Sequence, residues 1–246
     1  MPLFELIRDA KHLVVFTGAG VSAESGIATF RDALTGLWER YDPAQLATAE
    51  AFRRDPALVW GWYESRRLQV LKAQPNPAHR AIAALARQVP ELTLITQNVD
   101  DLHERAGSPE VIHLHGSLHH PRCFACNRPI ALEPTSVAVN GPQEPPRCQG
   151  CNGRARPGVV WFGEALPERA IRTAMDAAKR CDCLLSIGTS GVVMPAALIP
   201  QVALEAGANV IHINMQPVEC RADNEHSLIG AAGKLLPALC QQAFPA

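Results

Sequence analysis

The stretch LVVFTGAGVSAESGIATFRD, residues 13–32, constrains the fold more than any other part of this chain. Its first four residues, Leu13 to Phe16, are apolar without alternation, so they suit a strand covered on both faces, the situation of a parallel sheet. Gly18 and Gly20 follow at once, and a strand feeding a glycine turn is how doubly wound folds receive a dinucleotide. The spacing fits neither of the two common phosphate-loop patterns. By itself the turn is therefore equally a nucleotide loop or an ordinary strand-to-helix connection. Arg31 favours a ligand, because a guanidinium just after such a loop can hold phosphate or ribose oxygens bidentately.

Similar apolar runs recur at Leu92 to Ile95, Leu184 to Ile187 and Val210 to Ile213, with room between them for crossover helices. That rhythm predicts an α/β fold with a Rossmann-like parallel sheet. Residues 33–90 are rich in Ala, Leu and charge at helical spacing, with boundaries expected at Asp55-Pro56 and at Pro75-Asn76-Pro77. The N-terminal MPLFELIRDAKHL reads as a first helix, since it carries acidic residues and lacks the apolar core of a signal peptide. From Pro121 to Pro157 the composition shifts to Pro, Cys, Gly, Asn and Arg, a module too poor in apolar residues to hold itself together. The expected organisation is a large domain from 1–32, 76–117 and 158–246, with a smaller inserted part made of a helical insert at 33–75 and a cysteine-containing module at 118–157.

With 23 basic and 24 acidic side chains the net charge is −1, which argues against general attraction to nucleic acid or to an anionic membrane. Val192 to Val202 is too short and too interrupted by Pro195 and Pro200 to span a bilayer. Of eight cysteines, four form Cys123-x-x-Cys126 and Cys148-x-x-Cys151, separated by 21 residues. Without a secretory signal, a reducing, cytoplasmic compartment and a thiolate metal site are expected rather than disulfides. Four soft thiolates favour one tetrahedral Zn²⁺ with no open position, a structural ion. Cys181, Cys183, Cys220 and Cys240 are read as small buried hydrophobes, and His119 and His120 as solvated loop residues.

Two polar clusters stand out. Gln97, Asn98 and Asp100 directly follow a predicted strand, where amides and carboxylates point into a cleft or cap the next helix. His115 precedes a glycine at the entrance to the cysteine module, as a proton acceptor in a cleft or as a structural histidine.

In order and spacing, GAGVSAESGIATFR, TQNVD, HLHGS, the two Cys-x-x-Cys pairs, VVWFGE, IGTS and INMQ resemble the sirtuins, the NAD-dependent protein deacylases. The resemblance covers nearly the whole chain. It implies that Gly18, Ala19, Gly20, Glu24, Ile27, Phe30 and Arg31 border NAD, and that Gln97, Asn98 and Asp100 hold its ribose and nicotinamide end. Gly188, Thr189 and Ser190 would receive the adenosine half, Asn214, Met215 and Gln216 the adenine ribose, and Ala232, in a C-terminal loop, the adenine. His115 becomes the general base, and Val159, Val160, Phe162, Gly163 and Glu164 pair with an acyl-lysine peptide as an added strand. The implied chemistry has the acyl oxygen attack the ribose C1′ with loss of nicotinamide. His115 then activates a ribose hydroxyl toward the imidate, and water releases lysine and O-acyl-ADP-ribose. Tyr63 and Arg66, three apart on one helix face, resemble the signature of class III sirtuins, which implies removal of succinyl and malonyl groups and more weakly acetyl. Ala28 departs from the family's usual proline, and Met194 stands at a position that varies. Two rival functions are an ADP-ribosyltransferase using the same cleft and a non-enzymatic NAD- or zinc-ribbon binding module.

Overall fold

A computed structural model describes residues 2–28, 42–132 and 141–245 of the chain. In chain order the elements are α1 (Leu3–Arg8), β1 (His12–Thr17), α2 (Gly20–Ala23), α3 (Pro43–Leu46), α4 (Ala49–Arg54), α5 (Pro56–Lys72), α6 (Pro77–Leu85), β2 (Glu91–Thr96) and α7 (Leu102–Arg105). They continue with β3 (Ile112–His113), β4 (Gly116–Cys123), β5 (Ala155–Val159), α8 (Glu168–Arg180), β6 (Cys183–Ile187), α9 (Ile199–Glu205), β7 (Asn209–Asn214), β8 (Glu225–Ile229) and α10 (Ala232–Ala243). Six parallel strands lie in the order β3-β2-β1-β6-β7-β8. This is the doubly wound arrangement, whose strand order reverses between β1 and β6 and opens a crevice there.

All six residues of β1 are buried, and alternate side chains serve opposite faces. Leu13 and Val15 join Ile82, Leu85, Ile211 and Leu236 under α1, α6 and α10. Val14 and Phe16 join Leu184, Ala174, Ile199 and Val210 under α8 and α9. The four expected strands lie within β1, β2, β6 and β7, whereas the two sheet edges, β3 and β8, carry no continuous apolar run. An edge strand is covered on fewer sides, so its sequence is not forced to be apolar.

The expected helix boundaries hold. Asp55 caps α5 by accepting from the Leu58 N–H at 2.9 Å, with Pro56 in the first turn. Asn76 caps α6 through the Ala78 and His79 N–H groups, and the His79 ring returns a bond to the Asn76 N–H. A third apolar cluster, with Phe52, Trp62, Tyr63, Leu118, Val159 and Trp161, joins α4 and α5 to the antiparallel pair β4-β5. The Gln143 N–H donates to the Ala57 carbonyl at 2.8 Å, so α5 and the cysteine module pack as neighbours.

Candidate active site

At the strand-order reversal the β1–α2 turn lies against the turn after β6. The Gly18 N–H donates to the Ile187 carbonyl and the Gly20 N–H to the Gly188 carbonyl, each at 3.0 Å. A Cβ on Gly20 would sit 2.7 Å from the Gly188 Cα, and one on Gly18 2.7 Å from the Gly188 oxygen. Gly188 itself has φ +62°. The first two glycines are thus required by contact between two loops, and a dinucleotide need not be invoked to explain them.

Ala19 lies on this turn, and Ile27 packs at the margin of the third cluster. Phe30 and Arg31 lie outside the described residues. Glu24 is exposed, and its carboxylate accepts from the Gly233 N–H at 2.9 Å, at the start of α10. Ala232 belongs to the first turn of α10 rather than to a loop, and is buried.

Beside the crevice a cleft of about 770 Å³ brings together Gln97, Thr189, Ser190, Asn214, Met215 and Gln216. The Asn214 side chain donates to the Thr189 carbonyl at 2.7 Å, tying the ends of β6 and β7 together.

A buried polar network lies beneath Gln97, Asn98 and Asp100, and its protons can be placed by elimination. Burial lowers the His79 pKa to about 4 and that of His103 to about 3, so both rings are neutral at pH 7. The Asn76 N–H donates to His79 Nδ1, so His79 Nε2 carries the hydrogen and donates to Ser22 Oγ. Ser22 also accepts from the Asn98 amide and donates to Asp100 at 3.0 Å. The other Asp100 oxygen accepts from the Leu102 N–H, so the helix-capping alternative also holds. On the far side Thr17 donates to Thr96, which leaves its oxygen to accept from His103 Nε2 at 2.9 Å.

His115 Nδ1 lies 2.9 Å from the Gln97 carbonyl. A carbonyl only accepts, so Nδ1 is protonated and Nε2 keeps its lone pair; among the described residues Nε2 has no partner. Burial lowers this pKa, and the bond to Gln97 offsets part of that effect. The result is a half-buried imidazole that is neutral, oriented and basic at one nitrogen.

The Val160 N–H donates to the His115 carbonyl at 2.8 Å, which sets the VVWFGE segment beside the histidine. Phe162 and Gly163 are exposed, whereas the N–H groups of Val160, Trp161, Phe162 and Glu164 are already bonded within the chain. Among the described residues the Gly163 N–H is unbonded. The Glu164 side chain is engaged internally: it pairs with buried Arg156 and accepts from the Trp161 N–H. Only its backbone carbonyl is left for a strand-like partner.

Tyr63 is buried among Val159, Trp161 and Leu118, and burial raises its pKa. Arg66, half-buried, has its guanidinium 5.3 Å from the Trp62 ring and close enough to Tyr63 to favour the phenolate. Its neighbour Arg67 is buried in a bidentate pair with Glu64 at 2.8 to 3.1 Å.

In the cysteine module the four sulfurs lie within 4.8 Å of one another. Cys123 and Cys151 are 3.5 Å apart, and Cys126 and Cys148 are 3.8 Å apart. Tetrahedral zinc with Zn–S of about 2.3 Å requires S–S separations of about 3.8 Å, close to the two separations given, so the donor set suits that ion. Both knuckles end in asparagine at φ 59°, Asn127 and Asn152, a left-handed position this residue tolerates. The Cys126 N–H donates to the Cys123 sulfur, which helps hold that thiol down at about 6. His119 and His120 lie in strand β4 rather than a loop, and His119 sits 3.5 Å from Asp101. Of the scattered cysteines, Cys181 and Cys183 are buried as expected, Cys240 is intermediate and Cys220 is exposed.

Ser22, His79 and His103, joined to the expected cap Asn76, stand far apart in the chain and meet only in the fold. The one local signal was the Asn-Pro-x-His capping pattern at 76–79.

The model of the Sir2 family matches residues 18–195. A protein of Pseudomonas aeruginosa named NAD-dependent protein deacylase 1 is 64% identical over 98% of both chains. A crystal structure of a Sir2 homologue in complex with NAD has a TM-score of 0.86 at 47% identity, covering 98% of this chain and 92% of that one. A Sir2 structure bound to acetylated peptide has a TM-score of 0.83 at 28% identity, covering 98% and 96%. With the parallel sheet, the four-cysteine centre and the glycine turn at the crevice, these matches show that the chain belongs to the Sir2 family.

Proposed function

We propose that this chain is an NAD-dependent protein-lysine deacylase that prefers succinyl- and malonyl-lysine to acetyl-lysine. The supporting observation is His115, whose Nδ1–H is fixed on the Gln97 carbonyl and whose Nε2 is free to take a proton beside the Val160 strand. NAD, when bound, supplies the electrophilic ribose carbon and is consumed. The chain's own part is to hold Gln97, Asn98 and Asp100 against the nicotinamide end, to seat the adenosine half among Thr189, Ser190 and Asn214, and to accept a hydroxyl proton at His115 Nε2. The peptide pairs with the Gly163 N–H and neighbouring carbonyls. The segments 1–32, 76–117 and 158–246 form the cofactor side, and 33–75 with 118–157 form the smaller part opposite.

The acyl preference rests on Tyr63 and Arg66, a phenol and a guanidinium near each other beside Val159 and Trp161. Together they suit a distal carboxylate. The test measures kcat/KM for acetyl-, succinyl- and malonyl-lysine peptides with NAD in the wild type, Arg66→Met, Tyr63→Phe and Lys72→Met. Loss of a charge-assisted bond of about 1.5 to 3 kcal/mol lowers desuccinylation by about one to two orders of magnitude in Arg66→Met, with deacetylation level or higher. Tyr63→Phe acts in the same direction more weakly. Lys72, exposed at the end of the same helix, is the control, because removing Arg67 would strand buried Glu64. Equal losses for acetyl and succinyl peptides in Arg66→Met would defeat the clamp, and nicotinamide release without acyl-lysine would defeat the deacylase reading.

A further inference from the structure

His113 and His115 flank fully buried Leu114 where β3 ends and the chain bends toward β4, and both imidazoles reach one loop. Both rings bond through Nδ1 to consecutive carbonyls of the same loop: His115 to Gln97 at 2.9 Å and His113 to Asn98 at 3.2 Å. They differ at the other nitrogen. His113 Nε2 lies 2.6 Å from the Glu104 carboxylate of α7, which the bond to His113 helps keep ionised. A carbonyl and an ionised carboxylate both only accept, so His113 must donate from both nitrogens and is an imidazolium.

The surroundings agree with that charge. Asp100 and Glu104 both favour the protonated ring, against the effect of burial. His103 of α7 is neutral, β2 places Thr96 opposite, and α8 brings apolar Ile171, Ala174 and Met175 to this edge.

Asn98 is consequently held at three points. Its N–H donates to Thr96 Oγ1 at 3.0 Å, its side-chain amide to Ser22, and its carbonyl accepts from His113. We propose that His113 is a positioning residue: through its paired bonds to the Asn98 carbonyl and the Glu104 carboxylate it sets the loop Gln97 to Asp100 for the nicotinamide end of NAD. This role rests on the deacylase reading above. A neutral His113 has one N–H for two acceptors. Whichever nitrogen keeps it, the other presents a lone pair to an oxygen, and one of the two contacts turns repulsive. The loop therefore loosens as His113 loses its proton, at a pH where His115 is already in its basic form.

The experiment compares wild type, His113→Leu and Glu104→Gln from pH 6 to 9.5, reading KM for NAD, KM for peptide, kcat and thermal midpoint. His113→Leu raises KM for NAD by about tenfold at pH 7, the loss of one charge-assisted bond, with little change in KM for peptide. The wild-type KM for NAD climbs toward the His113→Leu value on the alkaline side. Glu104→Gln lets an amide donate to Nε2 of a neutral ring, which keeps the Asn98 bond, so its KM for NAD stays flat with pH. A KM for NAD within about twofold of wild type in folded His113→Leu would overturn the proposal, and so would identical alkaline profiles for wild type and Glu104→Gln. Nitrogen NMR of the ring provides a reading independent of turnover. A His113 that titrates above about 6.5 and falls in Glu104→Gln supports the clamp, and one that titrates at or below that value refutes it. Absence of nicotinamide release by the wild type, with the NMR result intact, would refute the deacylase reading alone.

Discussion

Replacing Glu164 by glutamine tests whether its carboxylate serves the substrate or the fold. Arg156 is almost wholly buried, with its guanidinium 3.5 Å from the Trp161 ring centroid. It donates to the Val159 carbonyl at 3.0 Å and to Glu164 through both terminal nitrogens. Arg122 lies close enough for the two cations to repel and for Glu164 to stabilise both. Removing one member of a buried pair costs about 3 to 5 kcal/mol. Glu164 retains some exposure, and glutamine can still accept from one N–H, so the lower end, about 3 kcal/mol, is expected. At about 2 to 4 °C per kcal/mol for a chain of this size, the thermal midpoint falls by about 6 to 12 °C. Arg156→Met costs less than leaving the cation alone, and the double variant recovers part of the Glu164→Gln loss. Urea unfolding of all three, with KM for peptide measured alongside, decides the matter. Stability within about 0.5 kcal/mol of wild type together with a raised KM for peptide would mean that Glu164 binds substrate.

His115→Ala lowers single-turnover deacylation by about 100- to 10,000-fold while fold and zinc content survive, and a loss below about tenfold would remove it as the base. Because burial lowers its pKa, the acidic limb of wild-type activity falls below about pH 6.5, where an imidazole in water titrates; a limb centred above that value contradicts the assignment. Changing any one of Cys123, Cys126, Cys148 or Cys151 to Ser releases metal and destabilises β4-β5 and its neighbours, and one zinc per chain retained in all four variants would show the site misassigned. His79 and His103 have depressed pKa values in the fold, so their contribution is complete above about pH 6.5 and is lost as pH falls toward about 4 and about 3. Between pH 7 and 5 this amounts to about 2 kcal/mol per imidazole; urea midpoints unchanged over that range, with zinc retained, would refute the neutral pair.

The sheet was readable from sequence because strands buried on both faces leave little choice of residue, as in Leu13 to Phe16 or Leu184 to Ile187. The cysteine centre was readable because its ligands come in two short local pairs. Edge strand β8, reading Glu-His-Ser-Leu-Ile, escaped, since half-buried positions accept polar residues. Ala232 was placed in a loop because α10 begins with Ala-Gly-Lys and no capping side chain of its own; that task falls to Glu24, 209 residues away. Likewise, no local pattern distinguishes half-buried Arg66 from Arg67 of the buried ion pair, because burial is decided by what packs across the helix.

The histidines show where such limits have functional consequences. His79, His103, His113 and His115 are one residue type within a single network, and composition assigns them one titration range. In the fold their protonation is set by which group takes each N–H. Among the described residues His79 and His103 are buried without a carboxylate partner, and they stay neutral donors to Ser22 and Thr17. His113 meets a carbonyl and a carboxylate and is held charged, while His115 meets a carbonyl alone and keeps a basic nitrogen. Glu104 is what separates the last two, and it stands on α7, a different element from either ring. The division between a charged anchor and a base two residues apart therefore depends chiefly on the carboxylate supplied by the helix that follows the loop both rings hold, with Asp100 of that loop acting in the same direction.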